Sequence, residues 1–266
     1  MPWRAAVKLA YDGREFFGSQ RQPDVSTVEE EILECLIEIK AIDSPKGARF
    51  RAASRTDRGV SAVGNVVAFD TAFRKEALLR AMNAASERVH YYGIAEVPEA
   101  FSPRRATRRW YRYFLPQEGL ELGRVMQCAE LFVGKHDFRN FCKVDERSTI
   151  RSVEKVETFP VGDFIIVDFF AREFLRNMIR RMVAAMAEVG AGNSDLQSAS
   201  DALDGKRNQF GLAPAGNLCL MDVQYPFEFH VERPPTLKRK LRTARERNFV
   251  EMAFLDALKG ELTKSE

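Results

Sequence analysis

The feature that most narrows the fold is an order of segments that occurs twice along the chain. In the first half, "RAAVKLAYDG" (Arg4 to Gly13) alternates like a strand and ends on an Asp-Gly turn. A polar, glycine-bearing loop follows, "REFFGSQRQPDVS". "STVEEEILECLIEI" then starts a helix that Ser26 or Thr27 can cap, with acids in its first turn. Val28, Ile32, Cys35, Leu36 and Ile39 make its apolar stripe. "ARFRAAS" and "VGNVVAFD" read as strands, "RKEALLRAMNAAS" as a helix and "RVHYYGIAEVP" as a strand. The order strand, helix, strand, strand, helix, strand is that of a split βαβ unit.

The second half repeats the order without evident sequence identity. "RRWYRYFLP" predicts a strand and "ELGRVMQCAELFVG" a helix, followed by an aromatic loop, "KHDFRNFCKV". "RSVEKVETFP" and "DFIIVDFFAR" are strands joined by a Pro-Val-Gly-Asp turn. "EFLRNMIRRMVAAMAEVG" is a long helix closed at Gly190, and a shorter helix, "DLQSASDALDG", precedes the strand "LCLMDVQYP". The fold class is therefore α+β, two ferredoxin-like halves sharing an extended, mainly antiparallel sheet. "AFSPRRAT", around Ala100 to Thr107, marks the junction. The expected units are an N-terminal half, 1–103, a C-terminal half, 104–233, and a tail, 234–266. The tail reads as a basic helix followed by a more amphipathic one, either a solvated appendage or an arm that contacts RNA or another subunit.

Composition excludes more than it selects. The net charge of +3 is too small to argue for a polyanionic partner. No stretch is long and apolar enough to cross a membrane, and the N-terminus lacks the apolar segment of a signal peptide, so a cytoplasmic protein is expected. Cys35, Cys128, Cys142 and Cys219 form no CxxC pair, and His90, His136 and His230 are scattered. Zinc ribbons and His-based triads are poor fits. Carboxylate, Tyr and Arg are left to carry any chemistry.

Four stretches contain such groups. "SRTDRGVS" (Ser54 to Ser61) brackets Asp57 with Arg55 and Arg58 between two strands, ahead of Gly59. It is either an Asx turn or a carboxylate displayed in a site built for an anion. "SPRRATRRWYRYF" interleaves Arg104, Arg105, Arg108, Arg109 and Arg112 with Trp110, Tyr111 and Tyr113. Strand alternation puts Tyr111 and Tyr113 on one face, with Trp110 and Arg112 on the other. The stretch is either a strand with solvated arginines or a surface where guanidinium groups meet phosphates and rings stack on bases. In "EFLRNMIRRMVAAM", Phe174, Leu175, Met178, Ile179, Met182, Val183 and Met186 form a buried stripe. Arg176 and Arg180 lie off it, as solvated charges or with one aimed into a cleft. In "GKHDFRNF", His136 and Asp137 are adjacent and point apart in an extended segment. A structural loop anchored by Phe138 and Phe141 is favoured over a catalytic dyad.

Together these segments resemble the TruA family of tRNA pseudouridine synthases over roughly Trp3 to Phe227. "AYDGREFFGSQRQ", "SRTDRGVSAVGNVVAF", "WYRYF", "GKHDFRNF", "EFLRNMIRRMVAAMAEVGAG" and "LAPAGNLCLMDVQYP" match its motifs in order. The resemblance implies a cleft for RNA at the centre of the sheet. It implies isomerisation of uridine to pseudouridine in the tRNA anticodon stem-loop, around tRNA positions 38 to 40, by a homodimer with no cofactor or metal. Asp57 falls on the family's catalytic aspartate, Tyr111 on the tyrosine near the target uridine, and Arg180 on the basic partner of the aspartate. Arg55 falls on the arginine that helps extrude the uridine. Arg58, Arg104, Arg105 and Arg108 are then candidate RNA contacts. The chain departs from bacterial members at Ser61 (His there), Asn65 (Gln there), Arg58 (a small residue there) and Arg176–Asn177, which suggests an archaeal or otherwise divergent branch. The competing reading is a non-catalytic tRNA-binding protein on the same scaffold. An Asp-nucleophile phosphohydrolase would want a second acid two residues on, where Gly59 stands.

Overall fold

In the computed structural model, which describes residues 2–146, 148–206, 210–232 and 235–263, the two halves meet edge to edge in one sheet. The N-terminal half runs β1 (Trp3–Tyr11), α1 (Val28–Glu38), β2 (Arg51–Ala52), β3 (Ser61–Thr71), α2 (Lys75–Ala85) and β4 (Val89–Val97). Thr27 supplies the cap of α1, its side chain accepting from the Glu30 N–H at 3.3 Å. The C-terminal half runs β5 (Arg108–Pro116), α3 (Leu122–Leu131), β6 (Gly134–Asp137), β7 (Ile150–Val161), β8 (Phe164–Ala171), α4 (Met178–Gly190), α5 (Leu196–Leu203) and β9 (Leu218–Gln224). A short strand, β10 (His230–Val231), and a terminal helix, α6 (Pro235–Thr263), complete the chain.

The strand order is β10-β4-β1-β3-β9-β5-β8-β7-β6, with β2 paired to β3. Each half has the order of a split βαβ unit, and every pair is antiparallel except β3 with β9. That parallel contact is short, Ser61 opposite Cys219 and Ala62 opposite Leu220. Further along β3, Val67 and Ala68 pair with Ala52 and Arg51 of β2. The sheet therefore forks: one end of β3 joins the C-terminal half and the other end joins β2. The segment between β2 and β3 carries Asp57 and lies in that fork. Alternation along β1 sends Val7, Leu9 and Tyr11 into the core, and β5 sends Tyr111, Tyr113 and Leu115 to the same kind of buried face.

Five expectations change. The strand read in "ARFRAAS" shrinks to Arg51–Ala52. The aromatic loop begins with β6, paired to β7, before a single 3-10 turn at Arg139–Phe141. His136 bonds the Val133 carbonyl at 2.9 Å and Asp137 binds Arg139 and Thr149, so the pair forms no dyad. The helix read from Glu173 starts at Met178, because Asn177 adopts a left-handed conformation (φ 65°) in the turn closed by Met178 N–H to Leu175 O. Its last residue is Gly190, but the capping glycine is Gly192: Gly192 has φ +75°, its N–H reaches Val189 O, and Asn193 N–H reaches Glu188 O, a Schellman motif. The tail is one continuous helix instead of two, and its expected first residue, Pro234, lies outside the described residues.

Candidate active site

The Asp57 turn is closed by backbone. Val60 N–H donates to Asp57 O at 3.1 Å, and Gly59 takes φ +87°, a conformation that favours glycine. The side chain is thereby released from the Asx role. It points across the fork to α4, where the Arg180 Nη1 donates to Asp57 Oδ2 at 3.3 Å. Arg180 is itself fixed, its Nε donating to the Ala213 carbonyl at 2.7 Å. Among the described residues, Asp57 Oδ1 has no partner, and the Asp57 side chain is 31% exposed against 14% for Arg180. The arrangement is a carboxylate steered from one side and open on the other. Residues more than 120 positions apart in sequence meet here because the sheet joins β3 to β9.

Tyr111 lines the same face. It is buried, and its ring meets Phe174 edge-on at 5.4 Å between centroids. Burial raises the phenol's pKa, and the nearby Arg109 charge and Ser54 hydroxyl only partly oppose that, so the phenol keeps its proton at neutral pH. Tyr113, one alternation on, donates to the Pro214 carbonyl at 3.0 Å.

The turn is held by groups to which the sequence assigns no such role. Arg109 stands in an arginine run that suits either solvent or phosphate, yet alternation places it with Tyr111 and Tyr113, and it is only 7% exposed. Its guanidinium donates to Ser54 Oγ and Ala53 O, both at 2.9 Å, and to the carbonyls of Arg104 and Arg172. Thr56 is gripped from two sides. Its Oγ1 lies 2.8 Å from the Tyr11 hydroxyl, its N–H donates to Ser19 Oγ at 2.7 Å, and its carbonyl accepts from the Ser19 N–H at 3.0 Å. Asn65 donates to Ser54 O at 3.1 Å, and the Ser61 hydroxyl accepts from the Gly13 N–H at 3.0 Å. Two departures from the bacterial pattern thus serve as scaffold. Gly13 is required by the same packing, since an added Cβ would lie 2.1 Å from the Val60 carbonyl oxygen.

The candidate RNA contacts divide. Arg55, Arg58, Arg104 and Arg105 are exposed and form no ion pair among the described residues. Arg58 lies over the Phe17 ring, 4.1 Å from its centroid, which fixes its direction without a carboxylate. Arg104 feels the charges of Arg55 and Arg51, so these three crowd one edge of the fork. A cluster of guanidinium groups with no ion pair among the described residues and only Glu29 nearby suits an anionic backbone. Arg108 is elsewhere: it is on the opposite face of β5, paired with Glu154 at 2.6 Å and 5.9 Å from the Phe170 ring centroid. Arg176 is exposed and does not reach Asp57. Cys35, Cys128, Cys142 and Cys219 are free thiols, and no described helix is long and apolar enough to cross a membrane.

Comparison with known proteins gives consistent results. The profile of a family described as tRNA pseudouridine synthase matches residues 128–226. A protein of Pyrococcus abyssi named tRNA pseudouridine synthase A is 42% identical over 226 residues, 84% of this chain and 84% of its own length. Proteins of the same name from Thermococcus sibiricus and Pyrococcus furiosus are 39% and 38% identical. The first of these two alignments spans 98% of this chain and 96% of the relative, and the second 99% and 98%.

Proposed function

Because this chain belongs to the TruA family of tRNA pseudouridine synthases, we propose that it isomerises uridine in the tRNA anticodon stem-loop, around tRNA positions 38 to 40, with Asp57 as the catalytic carboxylate. One observation carries the residue assignment: Asp57 stands in the fork of the sheet with one oxygen held by Arg180 and the other open, beside buried Tyr111.

The target uridine must leave its stack to reach a carboxylate in a cleft, at a cost of a few kcal/mol. Arg55, exposed two residues before Asp57, takes the vacated space or the neighbouring phosphate. The bond from ribose carbon 1 to ring nitrogen 1 then breaks, leaving the sugar electron-poor. The open oxygen of Asp57 stabilises that carbon or bonds to it. Carbon 1 rejoins the ring at carbon 5, carbon 5 loses its hydrogen, and nitrogen 1 takes a proton. Nothing is oxidised and no atom is imported. Arg180 orients the carboxylate through the transfer, and Tyr111 offers a stacking face and a phenol for the proton transfer at carbon 5.

The test is release of tritium from tRNA whose uridines are tritiated at carbon 5. Isomerisation predicts stoichiometric release from the modified position. Binding of the tRNA with no release would support the non-catalytic reading instead.

The protein is further proposed to act as a homodimer. The open face of the C-terminal half supports this: Phe114 and Phe159 flank Ile166, and Val161 and Phe164 form the next row, with Phe114, Phe159, Val161 and Phe164 all exposed. Sedimentation at micromolar concentration is expected to give twice the chain mass, and Phe159→Lys to shift it toward one. A wild-type monomer would contradict this.

A further inference from the structure

Helix α6 carries a concentration of positive charge that no acid outside the helix pairs with among the described residues. Lys238, Arg239, Lys240, Arg242, Arg245 and Arg247 stand within ten residues, against the single acid Glu246. Arg242 reaches Glu246 only at 3.8 Å, and both are mostly exposed. Lys238, Arg242 and Arg245, at spacings of four and three, share one side of the helix. Every residue from Leu241 to Leu258 is exposed, so the body holds only the first turns.

The hold is specific. The Lys240 Nζ donates to the carbonyls of Ser86 and Glu87, at 3.2 and 3.5 Å. The next residue, Arg88, pairs with Glu31 at 2.6 Å and lies 4.6 Å from the Phe16 ring centroid. Phe16 belongs to the loop that positions the Asp57 turn, through Ser19 on Thr56 and Phe17 beneath Arg58. Glu251, eleven residues or about 16 Å beyond Lys240, contributes to the field at Arg14 of that same loop. The basic turns of α6 therefore run from the Ser86–Glu87 corner toward the loop of Arg14, Phe16 and Phe17, the loop on which exposed Arg58 rests at the edge of the candidate site.

We propose that α6 is a phosphate-binding arm that holds the tRNA backbone outside the site, extending the basic surface of the fork. This rests on the reading that tRNA is the substrate. Charge decides the choice of partner: a row of exposed cations with one weak acid partner among the described residues, leading toward the loop that carries Arg58, fits a polyanion better than a protein. Such an arm contributes to affinity and to its salt dependence and leaves the chemical step alone.

The experiment compares the full chain with a variant in which Lys238, Arg239, Arg242, Arg245 and Arg247 are all changed to Gln. The tRNA Kd is measured from about 50 to 300 mM salt, with the single-turnover isomerisation rate at saturating tRNA. The variant is expected to bind at least about tenfold more weakly at 150 mM salt, with a log–log salt slope shallower by about 3. Its rate at saturation is expected to stay within about twofold of the full chain, since none of the five residues is in the catalytic group. A truncation ending at Glu232 is expected to match the Gln variant. An unchanged Kd and slope would overturn the proposal. So would a truncation that weakens binding while the Gln variant does not, because that result assigns α6 to a protein contact through Phe249, Val250, Met252 and Phe254. A full chain that binds tRNA with the predicted salt slope and isomerises nothing would count against the catalytic reading alone.

Discussion

Asp57→Asn is expected to lower the single-turnover rate of isomerisation by at least about a thousandfold while leaving tRNA affinity within about threefold. The substitution is nearly isosteric, and the amide oxygen can still accept from Arg180 Nη1, so the turn and its 3.3 Å contact survive. What disappears is the negative charge at the open oxygen. An electron-poor sugar carbon needs that charge at the moment its bond to the base is broken, and no other described carboxylate takes part in the Arg180 contact. Affinity depends on groups that the substitution leaves alone, the exposed arginines around the fork. A variant that loses rate and affinity in equal proportion would place Asp57 in binding rather than in chemistry.

The second large effect is expected far from any phosphate. Arg109→Leu is expected to cost about 3 kcal/mol of stability and to lower the melting temperature by on the order of 10 °C. The guanidinium is buried and satisfies Ser54 Oγ together with the carbonyls of Ala53, Arg104 and Arg172. Leucine fills part of the volume and leaves those acceptors in the interior without donors. Because two of them belong to the start of the Asp57 segment, activity at 25 °C is expected to fall as well, with thermal melting and the tritium assay as the two readouts. A variant that melts like wild type would show that Arg109 is a surface charge, as its place in the arginine run suggested.

These two residues also show what the sequence disclosed. The repeated order of strands and helices was legible because alternation and 3.6-residue periodicity are local properties of the chain. The order therefore gave both split βαβ halves and the position of Asp57 between two strands. The fork itself was not legible. It depends on a two-residue parallel contact, Ser61 with Cys219 and Ala62 with Leu220, formed by strands more than 150 positions apart. The Arg180 partnership was reached through family resemblance, since helical spacing left both Arg176 and Arg180 off the buried stripe. The geometry that separates them is the left-handed Asn177, which delays the helix to Met178.

Arg109 was hidden differently. It stands in a run of five arginines whose composition points to solvent or phosphate, while strand alternation already put it on the face of Tyr111 and Tyr113. The packing outcome followed the alternation. Arg58, a departure from the bacterial pattern and a candidate RNA contact, gains a direction from the structure: it is braced on Phe17 at the edge of the site. His136 and Asp137 went the other way, adjacent in sequence and committed to separate local partners.

The most direct measurement is a position-by-position map of pseudouridine in one unmodified tRNA, treated in parallel with the wild-type chain and with Asp57→Asn. The account predicts pseudouridine within positions 38 to 40 after wild-type treatment and an unmodified anticodon arm after treatment with the variant. Pseudouridine formed equally by both proteins, or formed only outside the anticodon arm, would contradict it.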